Sequence, residues 1–305
     1  MTALTANAAE RTLAAGEFSH AGERAVQARA GRAFRGHIRD NVPAIAAAFL
    51  LTQQVIVIAG RAADGRMWTT MVAGSRGFLR VPDPRTVYIH ALPTPADPLA
   101  DLVAAGGPIG MIAVDAHHRM RVNGMLTPRP DGFAVHTEQV YANCVKYISE
   151  RHPLPRDADD TDPVVTRAAA LDPAQIAQVR TADMFFIGTH HPGGPADASH
   201  RGGRPGFVLV DAPDRLCWLD YVGNSMFNTL GNLALDARAG LLFPDWATGG
   251  LLQVSGRAWV NWDAAASEPL PGAQRVVEFA IDGVRHIANA TGLRWTSPIL
   301  SRFNP

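Results

Sequence analysis

Residues 220–245 read DYVGNSMFNTLGNLALDARAGLLFPD and decide the fold of this 305-residue chain. A turn at Gly223-Asn224 precedes a short amphipathic helix, and a strand rich in Leu and Phe follows directly. The apolar positions that would pack this helix against a sheet are Leu230, Leu233 and Leu235. The first turn of a helix presents unpaired N–H groups and the positive end of the helix dipole, which together favour anions. The small polar residues around the predicted helix start are Asn224, Ser225, Asn228 and Thr229. The segment therefore predicts an anion site, although the spacing alone is also typical of an ordinary capped helix.

Charge and composition narrow the classes of partner. The chain has 28 basic and 28 acidic residues and no formal net charge, which argues against nucleic acid or an anionic membrane as the main partner. Apolar residues make up 47% and charged residues 18%, as in a well-buried globular protein. Lys146 is the only lysine, so a phosphate-binding P-loop is excluded. Any phosphate contact must then come from arginine, hydroxyl, amide or backbone groups.

The cysteines and the apolar segments suggest a cytoplasmic protein. Cys144 and Cys217 have no zinc-ligand spacing, and we expect two buried thiols, with a single disulfide as the alternative. The first residues contain no apolar signal core, so secretion is not expected. Residues 42–60 form the longest apolar segment, but Pro43 and the polar residues 52–54 divide it into a helix and a strand.

Three blocks of the first half recur in the second half in the same order. The pairs are residues 76–81 with 205–210, 98–102 with 229–233, and 121–124 with 253–256. Many short strands with one helix per repeat predict a mainly β fold with flanking helices, built as two tandem small barrels. We expect each barrel to cover the exposed sheet of the other. The predicted divisions are a helical extension (1–43), a first barrel (44–152), a linker (153–165) and a second barrel (166–305).

Local patterns add expectations for single elements. Residues 1–18 are expected to be poorly ordered, and Glu23 to Phe49 to be helical with an interruption near Pro43. Asp64-Gly65 predicts a hairpin turn. A helix is expected around Gln139 to Arg151, closing the first half.

Several separated motifs resemble one known family. They are SHRGGRPGF at 199–207, GNSMFNTLGNL at 223–233, LQVSGRA at 252–258, LRW at 293–295 and RFNP at 302–305. In this order they resemble the pyridoxamine 5′-phosphate oxidase-like FMN-binding split barrels. More narrowly, the chain resembles the bacterial flavin-nucleotide-binding members that carry two such barrels, from about residue 44 to the C-terminus.

The resemblance implies an FMN site in the second half. The flavin ring would lie beside residues 200–206 and the phosphate at the start of the helix, with Gln253 reaching the ring or ribityl chain. The implied cofactor-binding residues are Ser199, Arg201, Gly203, Arg204, Gly206, Asn224, Ser225, Asn228, Thr229 and Gln253. Glycines there would let backbone N–H groups approach the flavin.

The same resemblance suggests catalytic and substrate residues. His200 would lie beside the ring and could donate a proton or polarise a substrate carbonyl, since histidine titrates near neutrality. A loop histidine bonded to backbone is the equally weighted alternative. Arg201, Trp246 and Trp295 are candidate substrate contacts, although arginines are often solvated and tryptophans often only pack.

Departures from the family limit what is carried over. The vitamin B6 oxidase uses an Arg/Lys phosphate clamp and a C-terminal Arg-x-His pair, and neither matches here, so that activity is not expected. At the phosphate positions of the first half stand Asp97 and Pro98, where a carboxylate would repel a phosphate and proline lacks an N–H. We therefore expect a degenerate first half and one flavin per chain. Adjacent histidines at 117–118 and 190–191 would face opposite sides of a strand, so no metal site is expected.

The sequence thus predicts an FMN-dependent oxidoreductase acting through flavin N5 on a small planar or carbonyl-bearing substrate. NAD(P)H or oxygen would be the redox partner, and the chain would be a homodimer or an intrachain pseudo-dimer. The alternatives are a non-catalytic flavin-binding protein, or a split barrel that uses deazaflavin or haem.

Overall fold

A computed structural model describes residues 12–13, 19–34, 36–154, 162–263 and 271–305 of the chain. The expectation for residues 1–18 and the middle of the predicted linker lie largely outside these residues. The helices are α1 (Ala21–Arg29), α2 (Ala44–Thr52), α3 (Ala100–Ala105), α4 (Pro173–Thr181) and α5 (Asn228–Leu235).

The strands form two large antiparallel sheets, one per half. The first half contains β1 (Thr12–Leu13), β2 (Ile38–Arg39), β3 (Val55–Arg61), β4 (Met67–Ala73), β5 (Leu79–Asp83), β6 (Thr86–Ile89), β7 (Gly107–Val114), β8 (Arg119–Arg129) and β9 (Gly132–Ala142). The second half contains β11 (Val164–Ala168), β12 (Met184–His190), β13 (Ala196–Gly202), β14 (Val208–Ala212), β15 (Arg215–Tyr221), β16 (Arg238–Pro244), β17 (Leu251–Asn261) and β18 (Ala273–Ala288). Two short strands, β10 (Pro153–Leu154) and β19 (Arg294–Trp295), pair with each other.

The two sheets share one strand order. In the first half the order is β4-β3-β7-β8-β9-β6-β5, and in the second half it is β13-β12-β16-β17-β18-β15-β14. The registers agree as well, because Ile58 pairs with Thr70 and Met111 just as Ile187 pairs with Ser199 and Leu241. The mainly β class with a repeated sheet and flanking helices is therefore confirmed. Within the described residues the strand pairing of each sheet is an open path and not a closed ring.

The halves pack on each other through their repeated strands. The shared core contains Val57, Met71, Ile112, Phe186, Leu242 and Leu251. Two equivalent glycines allow the backbones to meet: a Cβ on Gly110 would lie 2.4 Å from Cα of Asp197, and one on Gly240 would lie 2.6 Å from Cα of Trp68. Each sheet therefore covers the other, as the repeat predicts.

Three local expectations need correction. Glu23 to Phe49 holds not one interrupted helix but α1, the short strand β2 and the start of α2. The helix expected from Gln139 to Arg151 is wrong, since Gln139 to Ala142 extends β9 and the residues after it are irregular. Both cysteines are free, but only Cys217 is buried, whereas Cys144 is exposed. No helix in the described part of the chain is both long and apolar enough to cross a membrane.

Candidate functional site

A cleft with a cavity volume of about 130 Å³ lies between the halves at the start of α5. The second half lines it with seven of the predicted site residues: Ser199, His200, Arg201, Asn224, Ser225, Asn228 and Thr229. The first half contributes further residues that are not among the predicted site residues: Arg119, Arg121, Asn143, Cys144, Lys146 and Tyr147. The cleft is thus a composite of both halves.

Helix α5 begins later than the turn predicts. Asn224 accepts the N–H of Met226 at 3.1 Å, and Ser225 and Phe227 adopt left-handed backbone with φ of 63° and 59°. Phe227 stands at the N-cap and cannot cap with its side chain. The first turn therefore carries N–H groups without a capping side chain, beneath a strained loop.

The polar side chains at the head of α5 are held by hydrogen bonds. Thr229 Oγ1 donates to Ser199 Oγ at 2.8 Å. Asn228 Nδ2 donates to Glu23 of α1 at 3.1 Å, so the N-terminal helix reaches this end of the site. All four side chains are buried, which fixes their positions.

Arg121 crosses from β8 into the second half. Its Nε donates to the carbonyl of Ala198 at 2.9 Å, and its Nη2 contacts both Asp197 and Ser199. The Asp197 carboxylate also accepts from Asn123 at 3.1 Å and from Tyr141 at 3.0 Å. This buried network ties the first half to the strand that lines the cleft.

Burial and a neighbouring arginine favour the neutral form of His200, for which the sequence predicts titration near neutrality. The side chain is 5% exposed, and Arg119 Nη1 lies 2.8 Å from its Nδ1. A guanidinium can only donate, so Nδ1 accepts and the proton sits on Nε2. Burial first, then the charges of Arg119 and Arg201, hold the pKa of His200 well below its usual 6.5. Its Nε2 has no hydrogen-bond partner among the described residues.

Two arginines share one carboxylate in the floor of the cleft. Arg201 Nε lies 3.9 Å and Arg275 Nε 3.6 Å from the oxygens of Asp220. Within the described residues neither Nε has a hydrogen-bond partner, and the same holds for Nε of Arg119. Burial lowers the pKa of Arg201, and it lowers that of Arg119 to about 10. The cleft therefore holds desolvated positive charge with N–H donors left over.

Three predicted cofactor residues lie outside the cleft. The N–H of Gly203 bonds to the carbonyl of Asp183 at 3.0 Å, and that of Gly206 bonds to the carbonyl of Arg180 at 2.9 Å. Arg204 Nε donates to the carbonyl of Pro305 at 2.8 Å on the surface. These groups form the turn between β13 and β14, so the turn N–H groups do not face a ligand in the cleft.

Gln253 also lies elsewhere. Its Nε2 donates to Asp97 and to the carbonyl of Thr69, both at 3.1 Å. Because Arg121 and Gln253 hold equivalent positions, each strand inserts this side chain into the site of the opposite half. Gln253 therefore belongs to the first-half counterpart, and Arg121 takes its place in the cleft.

The counterpart site differs from the cleft in charge and size. The counterpart has different residues at the equivalent positions: Met71 in place of His200, Val72 in place of Arg201, Leu251 in place of Arg119 and Asp97 in place of Asn228. Asp97 is 5% exposed and is bonded by Thr70, Gln253 and the N–H of Leu99. Burial raises its pKa. The hollow that remains there has a cavity volume of about 70 Å³.

Trp246 and Trp295 line a second pocket beside the cleft. Its cavity volume is about 70 Å³, and it shares Ile112 with the cleft. The two indoles meet edge to face at 5.0 Å. Phe186 forms another wall and contacts the ring of His200 at 5.8 Å between centroids. Of the predicted substrate residues, Trp246 and Trp295 are therefore neighbours of the cleft, whereas Arg201 lines it.

Sequence reasoning missed the arginines of the first half for a structural reason. The repeat aligns Arg121 with Gln253, so the sequence shows that these two residues are equivalent. It does not show that each of these side chains reaches into the opposite half. Among the described residues, no group of three or more His, Cys, Asp or Glu side chains is arranged to hold a metal ion.

Comparison with known proteins gives structural matches only. No protein-family model and no curated protein matches the chain. Among solved structures it is similar to a Clostridium acetobutylicum protein of the pyridoxinephosphate oxidase family related to general stress protein 26, with 13% identity, a TM-score of 0.30, and coverage of 39% of this chain and 89% of that one. A FAD-binding protein of Mesorhizobium loti matches with 13% identity, a TM-score of 0.28, and coverage of 41% and 99%. The HupZ protein of Group A Streptococcus matches with 9% identity, a TM-score of 0.30, and coverage of 36% and 90%.

Proteins of the family that the sequence motifs resemble are thus among the structures matched. Scores of this size carry no weight for cofactor or substrate.

Proposed function

We propose that the cleft binds FMN and that the protein is an FMN-dependent oxidoreductase acting on a small organic substrate. The observation that carries this proposal is the set of buried guanidinium groups with unused N–H donors around His200 and Asp220. Such donors favour an anion with several acceptor oxygens, which a phosphate monoester provides.

The charge of the lining fits a phosphate ligand. Six cationic side chains line the cleft, namely Arg32, Arg119, Arg121, Lys146, Arg201 and Arg275, against the single carboxylate of Asp220. Asp197 neutralises Arg121 from behind, so the six cationic side chains exceed the two carboxylates by four positive charges, which favours an anion such as a phosphate monoester of about −1.5 to −2 charges. In the counterpart hollow, Met71, Val72, Leu251 and Asp97 remove this charge, which supports one anion site per chain.

Each side chain has a definite task in this proposal. Thr229 donates its hydroxyl proton to Ser199, and Ser199 donates its own to Asp197, so each hydroxyl would turn from its present acceptor to donate to a ligand oxygen. Arg201 and Arg275 stabilise negative charge, and the Nε2–H of His200 donates to a ligand acceptor. When bound, FMN would supply hydride or electron transfer at N5. NAD(P)H or oxygen is proposed as the redox partner.

His200 also favours a second candidate, a flavin-binding protein without turnover. Because its pKa lies well below 6.5, His200 is no proton source near neutrality. A haem ligand role is disfavoured at the same residue, since Nδ1 accepts from Arg119 and Nε2 carries the proton.

A spectrum and a binding titration test the proposal. The purified protein should show flavin absorbance, release FMN identified by mass, and quench the fluorescence of added FMN. Arg201→Gln should weaken FMN binding by about tenfold or more, because it removes a buried charged donor. Arg204→Gln is the matched control, since Arg204 lies on the surface outside the cleft, and it should bind FMN as the native chain does.

Three results separate the alternatives. A protein that neither contains flavin nor binds added FMN would refute the proposal, and deazaflavin fluorescence or a Soret band would name another cofactor. A yellow protein that is never reduced by NAD(P)H, nor reoxidised by oxygen after chemical reduction, would support the non-catalytic candidate.

A further inference from the structure

The aromatic pocket beside the cleft has a composition of its own. Trp246, Trp295 and Phe186 form its walls, and Ile112 separates it from the cleft. The two indoles meet edge to face, and together with Phe186 they give the pocket aromatic walls, which favour a planar apolar ring.

Two buried polar groups in this pocket lack partners. Ser149 is 4% exposed, and its Oγ makes no hydrogen bond within the described residues. Arg151 bonds Asp183 through both terminal nitrogens, at 3.1 and 2.5 Å, yet its Nε has no acceptor there either. Its guanidinium lies 5.0 Å from the ring centre of Trp246. Unpaired buried donors cost free energy, so a ligand that supplies an acceptor oxygen would be stabilised.

The charges around the pocket disfavour an anion. Asp183 already balances Arg151, with both side chains buried. Asp115 adds a carboxylate at the lining, where it accepts the N–H groups of His117 and His118 at 2.7 and 2.6 Å. The lining itself carries Arg151 and Asp115 and has no net charge, and Asp183 already pairs with the terminal nitrogens of Arg151, which disfavours a carboxylate or phosphate ligand.

We propose that the aromatic pocket binds a neutral, planar aromatic molecule with a carbonyl oxygen, next to the flavin. This names the substrate class of the proposed oxidoreductase and rests on that proposed function. The carbonyl accepts from Ser149 Oγ and Arg151 Nε, while the ring packs between Trp246, Trp295 and Phe186. The shared Ile112 and the contact of His200 with Phe186 place such a ring against the cleft.

Equilibrium dialysis with three two-ring probes tests the inference on FMN-saturated protein. Coumarin is neutral and carries a carbonyl, naphthalene has a similar shape without an acceptor, and 2-naphthoate carries a negative charge. Coumarin should bind about fivefold or more tightly than each of the others, the range expected for a hydrogen bond to an otherwise unpaired donor. Equal binding of the three probes would overturn the proposal.

Variants tie the binding to this pocket. Ser149→Ala should weaken coumarin about threefold or more and leave naphthalene unchanged. Trp295→Leu should weaken both neutral probes, whereas the control Trp259→Leu, at an exposed position of β17, should weaken neither. The proposal would be overturned if the affinity for coumarin were the same in Ser149→Ala, in Trp295→Leu and in the native protein.

Competition with FMN separates this inference from the proposed function. If saturating FMN displaces coumarin, the pocket belongs to the flavin ring and the inference fails while flavin binding stands. If the protein takes up no FMN, the proposed function fails, and the same probe ranking on flavin-free protein still decides what the pocket binds.

Discussion

The sharpest contrast at the scale of single residues is between Asn228 and Asp97, which hold equivalent positions in the two halves. Asn228 Nδ2 donates to Glu23, and its Oδ1 accepts from Arg121 Nη2 at 3.4 Å. The amide of Asn228 therefore donates one hydrogen bond and accepts another. Asp97 is surrounded only by donors, from Thr70, Gln253 and the N–H of Leu99. The amide keeps the cleft open to an anion, whereas the carboxylate closes its counterpart.

Giving each of these two positions the side chain of the other should therefore change FMN affinity unequally. Asn228→Asp places a carboxylate beside Glu23 and Asp197, and we expect FMN affinity to fall roughly tenfold or more. Asp97→Asn keeps an acceptor for Thr70 and Leu99, and FMN affinity should stay within about twofold. Fluorescence titration of both variants against the native chain measures this. Normal FMN binding by Asn228→Asp would mean that the head of α5 has no part in the site.

The sequence predicts those polar residues of the cleft that belong to two short, continuous motifs of the second half. Ser199 to Arg201 and Asn224 to Thr229 are contiguous motifs, and they do line it. Arg119, Arg121 and Lys146 come from the other half, and Gln253 goes to the other half, because the site forms only when two sheets interlock. Nor does a sequence reveal the burial and the arginine that keep His200 neutral.

At the scale of elements, the position of α1 on α5 is the feature that the sequence did not predict. Gly22 and Gly231 let the helices touch, since a Cβ on Gly22 would lie 2.1 Å from the carbonyl oxygen of Gly231. Glu23 enters this contact, where it accepts from the backbone N–H of His20 at 2.9 Å and from Asn228. A carboxyl group is thereby buried, 1% exposed, at the head of the helix.

Glu23 should make the stability of the α1–α5 contact depend on pH. Burial raises its pKa from 4.5 to about 7, Asp197 of β13 adds to this, and Asn228 and Arg121 of β8 oppose it. A raised folded-state pKa means that the stabilisation is complete below 4.5 and is lost as pH rises through 7. The Glu23→Gln side chain cannot ionise. At pH 8 the free energy of unfolding of this variant should therefore be about 1–3 kcal/mol larger than that of the native protein.

Urea unfolding at pH 5 and pH 8 checks the sign of this effect. The advantage of Glu23→Gln over the native chain should be larger at pH 8. Glu138→Gln, at an exposed position of β9, is the control and should track the native chain at both values. An advantage that is equal at both pH values would show that Glu23 does not ionise in this range.

Element boundaries were predictable where local signals agree with packing. Asp64-Gly65 turns between β3 and β4, as its sequence predicts. The helix expected at Gln139 fails because tertiary contacts decide there: Val140 and Tyr141 are buried on β9, and Tyr141 bonds to Asp197 of the other half. A single segment does not contain that information.

At the scale of the whole molecule, one chain contains both partners of a pseudo-dimer. Each half inserts a strand residue into the site of the other, Arg121 in one direction and Gln253 in the other. The two sites therefore differ. The cleft is lined by arginines, whereas its counterpart is lined by apolar side chains and Asp97.

This asymmetry leads to a prediction about stoichiometry. The native protein should bind one FMN per chain, whether it is a monomer or a homodimer, because both halves of one chain line the cleft. Arg119→Leu copies the counterpart, where Leu251 stands, and should weaken FMN binding about tenfold by removing a buried donor. Arg129→Leu, at the exposed end of the same strand, should leave it unchanged. The ratio of flavin to protein absorbance after desalting gives the number bound, and light scattering gives the assembly. Two flavins per chain would show that the counterpart is a working site and that its carboxylate and apolar residues do not exclude the cofactor.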